Sequence, residues 1–320
     1  MRRRDLIAAF GAAVLAARPV MAETGKAIGL LAPGPLRPIA SFKRRLSELG
    51  WIEGRNIRFE ERWGEQDDTR YVALAAELAA LPVDAILTWG TPAVLAAKRA
   101  TTTIPIVMAA VGDPVRVGAV SGLARPEGNV TGFSTQNFEL EEKRFELLRE
   151  LVPGLHGMVM LGNAAANPYS ALAAKRVNDL AAAAGLSFTA INIDAVGGLQ
   201  NGLDEIRKRR PDGVLLMAAP ALFPYRQAIV EFMAANRIPA VYPFREFAEA
   251  GGLLVYATNF DDLFRQAAAY IDKVLRGAAP GELPVQQAAT FELVINMRTA
   301  KALELTIPPV LLARADEVIE

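Results

Sequence analysis

Thr91 is the residue whose type and position most clearly suggest binding chemistry. It stands between Gly90 and Pro92, and this order is typical of a helix start with Thr91 as the N-cap and Pro92 as the first helical residue. The free backbone N–H groups and the dipole of a helix N-terminus favour negative charge, so this turn could hold a carboxylate. Plain capping explains the same residues, although Gly90 would also let a small molecule approach the backbone closely.

Two charged residues also follow predicted strands. Asp113 stands directly before Pro114 and could pair with an ammonium group, but an aspartate in this position more often starts a turn. Arg245 is a cation near a strand end, where it could contact a carboxylate. A surface ion pair with Glu246 or Glu249 explains Arg245 equally well.

Residues for common catalytic and metal chemistry are scarce. The chain has a single histidine, His156, and no cysteine, so it cannot assemble a Cys/His pair or a zinc-type site of several histidines and cysteines. We place His156 at the surface. The sequence also lacks a phosphate-binding loop, a dinucleotide-binding glycine pattern and a nucleophile elbow. We therefore expect a binding protein without catalytic activity, metal or cofactor, while an enzyme built from Asp, Glu, Lys and Tyr stays open.

Short β-rich runs alternate with longer helical patterns from Lys26 onward. Strands are predicted at 28–31, 56–61, 84–87 and 106–108, and the helices between them have apolar residues at three- and four-residue steps. This βαβ succession predicts an α/β fold with mainly parallel strands covered by helices. In such sheets, ligands bind outside the carboxyl ends of the strands.

The loops after the strands therefore carry the predicted ligand contacts, three loops in each half of the chain. Their aromatic residues could form apolar or stacking walls, although aromatic residues near strand ends more often belong to the core. The predicted ligand-binding residues are Pro33, Gly34, Trp89, Gly90, Thr91, Asp113, Asn163, Asn167, Pro220, Phe223, Phe244 and Arg245.

The order of these signals recurs about 130 residues later in the chain. Asp84-Ala-Ile-Leu87 is echoed by Asp212-Gly-Val-Leu-Leu216, and Ile104-Pro-Ile-Val107 is echoed by Ile238-Pro-Ala-Val241. This repeat predicts two similar lobes, although one large sheet with repetitive segments stays an alternative. We place the N-terminal lobe at 26–134 plus about 258–288, and the C-terminal lobe at 135–257 plus about 289–320.

The first 22 residues have the pattern of a secretory signal peptide. Arg2, Arg3 and Arg4 precede an uncharged run rich in alanine and leucine, and small residues around Ala22 offer a cleavage site. The adjacent arginines suit the twin-arginine export route, with an ordinary Sec signal as the alternative. We expect the mature protein in the periplasm, without a lipid anchor because the chain has no cysteine.

The charge of the mature chain argues against nucleic acid as a partner. The whole sequence balances 35 basic against 35 acidic side chains. Residues 1–22 contain four Arg and one Asp, so their removal leaves a net charge near −3. Nucleic-acid-binding domains usually carry a clear positive excess.

Several short motifs stand at turns from the signal to the C-terminus. Among them are Arg3-Arg4-Asp5-Leu6-Ile7, Leu49-Gly50-Trp51-Ile52-Glu53-Gly54, Gly90-Thr91-Pro92-Ala93, Val111-Gly112-Asp113-Pro114-Val115, Gly128-Asn129-Val130-Thr131-Gly132, Phe244-Arg245-Glu246-Phe247 and Ile307-Pro308-Pro309. Together they resemble the ABC transporter substrate-binding protein family related to tryptophan- and tyrosine-binding proteins. The resemblance implies a two-lobed type I periplasmic-binding-protein fold that closes on a hinge around a small molecule.

The resemblance also implies a function. Such a protein delivers its ligand to a membrane permease driven by an ATPase, and an amino acid or another carboxylate is the expected ligand. Relatives often have a Gly/Ser-rich turn after the first strand, whereas this chain has Ala32-Pro33-Gly34-Pro35, which leaves the ligand open. A ligand-sensing module for a membrane signalling partner would share the fold, and an exported α/β enzyme is the less favoured alternative.

Overall fold

The computed structural model describes residues 25–35, 37–65, 67–162, 168–193 and 198–320. The predicted signal peptide and two predicted ligand contacts, Asn163 and Asn167, lie outside these ranges. Within them, no helix is long and apolar enough to cross a membrane.

The first of two sheets has six strands, all paired in parallel, in the order β11-β5-β4-β3-β1-β2. Buried apolar residues dominate its central strands, as expected for a sheet covered on both faces. The strands are β1 (Lys26–Ala32), β2 (Ile57–Trp63), β3 (Ala85–Trp89), β4 (Ile106–Val111), β5 (Val130–Ser134) and β11 (Gln286–Gln287).

The second sheet has seven strands in the order β13-β12-β10-β9-β8-β6-β7. Only the β10–β12 pair is antiparallel among its described pairings. The strands are β6 (Gly157–Gly162), β7 (Ser187–Asn192), β8 (Gly213–Leu216), β9 (Ala240–Tyr242), β10 (Leu254–Thr258), β12 (Phe291–Asn296) and β13 (Glu317–Ile319).

The two sheets share one topology. The order β5-β4-β3-β1-β2 in the first sheet corresponds strand by strand to β10-β9-β8-β6-β7 in the second. The predicted α/β architecture of mainly parallel sheets is confirmed, and the alternative of one continuous sheet is wrong. The repeat in the sequence reflects this repeated strand order.

Eleven α-helices in the described ranges cover the sheets. They are α1 (Ile39–Glu48), α2 (Tyr71–Ala80), α3 (Thr91–Ala100), α4 (Asn137–Leu151), α5 (Pro168–Ala183), α6 (Gly198–Arg209), α7 (Arg226–Ala235), α8 (Arg245–Glu249), α9 (Phe260–Leu275), α10 (Met297–Ala302) and α11 (Pro309–Arg314). Short 3-10 helices lie at Asp68–Arg70, Pro220–Tyr225 and Pro280–Glu282.

The chain passes between the two sheets three times. It leaves the first sheet after β5, returns after β10 through α9, and leaves again between β11 and β12. Phe264, Ala267 and Ile271 form the buried face of α9 against the first sheet. The lobe boundaries stay predictions.

Asp84 and Asp212 show how the repeat is built into local structure. The Asp84 carboxylate accepts a hydrogen bond from the Ala27 N–H at the start of β1 (2.8 Å). The Asp212 carboxylate accepts from the N–H groups of His156 (2.9 Å) and Gly157 (2.8 Å) at the start of β6. Asp84, directly before β3, is thereby bonded to the start of the adjacent strand β1. Asp212, directly before β8, is bonded in the same way to the start of the adjacent strand β6. His156 is exposed, as predicted.

Candidate functional site

A cleft lies where the carboxyl ends of the strands in the two sheets face each other. About 920 Å³ of space free of protein atoms lies in and around it, open solvent included. Its lining comes from segments that directly follow β1, β3, β4, β5, β8, β9 and β10. The strand-end rule therefore places the cleft correctly.

Seven of the twelve predicted ligand-binding residues line this cleft. They are Pro33, Gly34, Trp89, Gly90, Thr91, Phe223 and Phe244. Asn163 and Asn167 lie outside the described residues. Pro220 begins the 3-10 helix that carries Phe223, and neither Asp113 nor Arg245 is among the described residues that line the cleft.

Gly90 and Thr91 form the start of α3 at the cleft. Gly90 is the N-cap, with a positive φ of 83° that glycine adopts without strain. Thr91 is the first helical residue, so its prediction as the N-cap is wrong. Gly90 has no side chain that could cap the helix, and the N–H groups of the first turn have no partner inside the helix. Thr91 and these backbone donors lie beside the cleft.

Trp89 forms an aromatic wall on the first-sheet side. Its ring packs against Trp63 and Phe264, with ring centroids 5.6 Å and 5.2 Å away. Only 2% of the residue is exposed, and its indole Nε1 has no hydrogen-bond partner in the described part of the chain. Trp89 therefore belongs both to the core and to the cleft lining.

Phe244 is the centre of the opposite wall. Its ring lies 5.9 Å from the Phe223 ring and 5.8 Å from the Phe260 ring, measured between centroids. Aromatic clusters of this kind supply a large apolar surface with little conformational freedom. The wall suits an apolar or aromatic part of a ligand.

Asp113 and Arg245 form ion pairs with other side chains of the protein. Asp113 accepts a hydrogen bond from the Arg116 N–H (3.0 Å) and forms an ion pair with the Arg116 guanidinium, which is the turn role considered for it. Arg245 pairs with Glu292 (2.7 Å) and Glu317, and these hydrogen bonds raise the pKa of Arg245 above its ordinary value. Of the two expected ion pairs, the one with Glu249 is present at 3.9 Å, and none with Glu246 is found among the described residues.

Ten cleft residues were not predicted from the sequence, and Asn137, Tyr169 and Glu246 are among them. Asn137 begins α4 and is 9% exposed. Glu246 lies in α8 and is half-buried. Asn137 follows β5, where the chain crosses from the first sheet to the second. Its position after a strand end is the signal that would have identified it.

A buried charged network lies behind the cleft. One carboxylate oxygen of Glu141 accepts hydrogen bonds from the Tyr169 hydroxyl (3.1 Å) and the Ala218 N–H (3.0 Å). It also lies 3.2 Å from Nη1 of Arg144, whose Nε donates to the Tyr256 carbonyl. Burial, together with the nearby Glu141 charge, raises the pKa of Tyr169 well above its ordinary value. Tyr169 therefore stays protonated and donates to Glu141.

The two sides of the cleft touch each other. The Arg37 guanidinium forms an ion pair with Glu249 on α8 at 3.2 Å, and the Arg116 guanidinium lies 4.5 Å from the centre of the Phe138 ring at the start of α4. Within the described residues, no group of three or more His, Cys, Asp and Glu side chains could hold a metal ion. The geometry can enclose a small organic molecule between an aromatic wall on each side.

Comparison with known proteins places the chain in a family. A family model for "ABC transporter substrate binding protein" matches residues 32–319. The tyrosine-binding protein of Clostridioides difficile (strain R20291) is 27% identical over 272 residues, which are 82% of this chain and 75% of that protein.

Solved structures show the same fold. The ABC domain from Streptococcus pneumonia in complex with L-Trp has a TM-score of 0.83 at 24% identity, covering 92% of this chain and 100% of that chain. A conserved domain protein from Vibrio cholerae has the same TM-score at 25% identity, covering 92% of this chain and 99% of that chain. These neighbours have the type I periplasmic-binding fold, as the motifs implied. Because the family model spans nearly the whole chain, the protein belongs to the ABC transporter substrate-binding protein family.

Proposed function

We propose that this protein is the extracytoplasmic solute-binding component of an ABC import system and that its ligand is an amino acid. Its two halves close around the ligand and present it to a membrane permease driven by an ATPase. The observation that carries this proposal is the cleft, which combines aromatic walls with a helix N-terminus, a buried amide and a carboxylate. These are the groups that an apolar amino acid needs.

The N-terminus of α3 is the proposed seat of the ligand carboxylate. Its first-turn N–H groups and the helix dipole favour an anion, and the Thr91 hydroxyl stands at the same position. Asn137 adds support, because the residue is 9% exposed and lines the cleft. Its side-chain amide offers both a donor and an acceptor, so it could hydrogen-bond the ligand carboxylate.

The aromatic walls are the proposed seat of the ligand side chain. Trp89 on one side and Phe223 and Phe244 on the other supply flat apolar surfaces. The tyrosine-binding relative and the L-Trp-bound structure support an amino acid with an aromatic ring. The first loop contributes Pro33, Gly34 and Pro35 to the lining and no hydroxyl, which favours contact with the side chain of the ligand over contact with its polar end.

Export and partners complete the proposal. The signal pattern at 1–22 supports transport to the periplasm, and membership of the family supports delivery to a permease and an ATPase. The predicted ligand contacts Asn163, Asn167 and Pro220 stay predictions.

A thermal-shift screen tests the ligand class. The purified protein is heated with each of the 20 common L-amino acids, with small carboxylates and with polyols such as allitol, which is bound in an Agrobacterium vitis relative. A ligand that binds the folded state raises the melting temperature. At a concentration of 100 times its Kd, the ligand stabilises the folded state by about 2.7 kcal/mol. We expect aromatic or large apolar amino acids to give the largest shift, confirmed by calorimetry. Stabilisation by polyols alone would overturn the amino-acid proposal.

Uptake in the cell of origin tests the transport role. Deletion of the coding sequence should abolish high-affinity uptake of the labelled ligand, and restoring it should recover uptake. Unchanged uptake together with a lost signalling response would favour the sensing alternative.

A further inference from the structure

Glu246 is a charged residue of the cleft that has no cation to pair with. It lines the cleft beside the aromatic wall, and within the described residues no Lys or Arg nitrogen lies within 4 Å of its carboxylate. The neighbouring carboxylate of Glu249 does have such a partner, the Arg37 guanidinium at 3.2 Å. Glu246 therefore differs from the surface carboxylates around it.

The arginines near Glu246 form ion pairs with other carboxylates. Arg37 pairs with Glu249 and approaches Asp261. Arg245, its neighbour in the chain, pairs with Glu292 and Glu317 on β12 and β13. Arg37 attracts the Glu246 charge only from beyond ion-pair distance, and no described Lys or Arg side chain forms an ion pair with Glu246.

The chemistry of the surroundings makes an unpaired carboxylate unfavourable. Burial raises the pKa of Glu246 above its ordinary value, and the nearby walls consist of Phe223, Phe244 and Phe260. Charged groups in such places are paired with an opposite charge or bind one. Because no described Lys or Arg side chain forms an ion pair with Glu246, the ligand is the remaining source of a paired positive charge.

We propose that Glu246 binds the ammonium group of the ligand and makes the site selective for molecules that carry a protonated amine. The inference rests on the proposed function, and it assigns the residue that recognises the amine of the amino acid. Asp113, the acidic residue first considered for this role, is bound to Arg116 outside the lining. The carboxylate end then lies at Thr91 and Asn137, and Glu246 holds the opposite charge of the zwitterion.

Matched pairs of ligands test this assignment. Each pair has an amino acid and the same acid without its amine: L-tryptophan with indole-3-propionate, L-tyrosine with 3-(4-hydroxyphenyl)propionate, and L-leucine with 4-methylpentanoate. Calorimetry gives the ratio of the two Kd values for the wild type and for Glu246→Gln, Asp113→Asn and Glu231→Gln. Glu231 is an exposed residue of α7 whose carboxylate accepts a hydrogen bond from the Gln227 side chain. It lies outside the cleft lining, so it controls for the substitution itself.

We expect the wild type to bind at least one amino acid about 30-fold or more tightly than its deaminated partner, since removal of one member of a desolvated charge pair costs at least that much. Glu246→Gln should lose most of this preference, while Asp113→Asn and Glu231→Gln keep it. Both Kd values in a ratio are measured on the same variant. Partial unfolding weakens the binding of both ligands equally and leaves the ratio unchanged.

The contrary outcomes separate the inference from the proposed function. A preference that survives in Glu246→Gln, or that Asp113→Asn removes, overturns the role of Glu246 and leaves an amino-acid-binding protein. Equal binding of both members of every pair by the wild type overturns the amine selectivity and, with it, the amino-acid proposal. Binding of neither member of any pair overturns the amino-acid proposal and the inference together.

Discussion

A Cβ atom on Gly112 would lie 2.6 Å from Cδ2 of the Tyr169 ring. Gly112 directly follows β4 of the first sheet, and Tyr169 is near the start of α5 beside the second sheet. The absence of a side chain at Gly112 therefore lets the two sides of the cleft meet. Tyr169 is held in place from behind by its hydrogen bond to the buried Glu141.

Gly112→Ala should weaken ligand binding by about tenfold or more, because a methyl group at this position forces the Tyr169 ring away and overpacking costs about 1–3 kcal/mol. The melting temperature without ligand should change little, since the two sides can separate slightly. Calorimetry with the best ligand measures the effect. Gly122→Ala is the matched control, because its Cβ would meet only the Arg125 carbonyl at 3.5 Å. Equal affinities for both variants would contradict the closure role of Gly112.

Thr91→Ala should lower the affinity for a carboxylate ligand by about tenfold, the value of one hydrogen bond to a charged group. Thr91→Ser keeps the hydroxyl and should recover most of the affinity. Asp113→Ala should leave the affinity nearly unchanged, because Asp113 is engaged with Arg116. If a confirmed ligand binds equally well when Thr91 and Asp113 are both alanine, the proposed carboxylate site is wrong.

Glu246→Gln should raise the melting temperature of the ligand-free protein at neutral pH. Burial raises the pKa of Glu246, so its contribution to stability is fully present below the ordinary pKa of about 4.5 and is lost as the pH rises through the higher folded value. Arg37, Glu249 and Glu292 are the charged groups that face it. The advantage of the variant should grow from pH 4 towards pH 8 in thermal scans. An advantage that does not depend on pH would contradict this origin.

Asp212→Asn should have the opposite pH dependence. Backbone hydrogen bonds from His156 and Gly157 lower the pKa of Asp212, so its stabilising effect is present above the ordinary pKa of about 3.8 and is lost as the pH falls through the lower folded value. Thermal scans should show a lower melting temperature for the variant at pH 7 and a shrinking difference below about pH 4. A constant difference down to pH 2 would show that the charge is not responsible.

Arg144→Met should destabilise the fold by about 3–5 kcal/mol, because it leaves the fully buried Glu141 carboxylate without its cation. The double variant Glu141→Gln with Arg144→Met removes both charges and should recover part of this loss. Urea unfolding of the two variants and the wild type measures the free energies. A double variant that is less stable than Arg144→Met would show that Glu141 stabilises the fold without Arg144.

Much of the architecture could be predicted from local patterns. The helix starting near Thr91, the apolar face of α9 and the strand beginning near Ile106 follow from residues close together in the chain. The repeat at about 130 residues correctly indicated two units, and the rule for strand ends selected the loops that line the cleft. The helix start was misjudged by one residue, because Gly90 adopts a positive φ and takes the N-cap position.

The roles of the charged residues near the cleft could not be predicted in the same way. Arg245 and Glu246 are neighbours, and on the helix α8 successive side chains point about 100° apart. Arg245 therefore pairs with Glu292 and Glu317, which lie on strands far along the chain. Glu246 instead lines the cleft. Asn137 was missed because it enters the lining only where the chain crosses between the sheets.

The alternating α/β order, the repeat and the family follow from the amino-acid sequence alone, because they depend on periodicity and on turn residues that act over a few positions. Which charges remain unpaired depends on the folded chain, since ion pairs such as Arg245 with Glu317 join residues 72 positions apart. The contact of Gly112 with Tyr169 depends in the same way on two sheets brought face to face. The position of the cleft therefore follows from the sequence, whereas the proposed chemistry of its ligand rests on the pairing of charges in three dimensions.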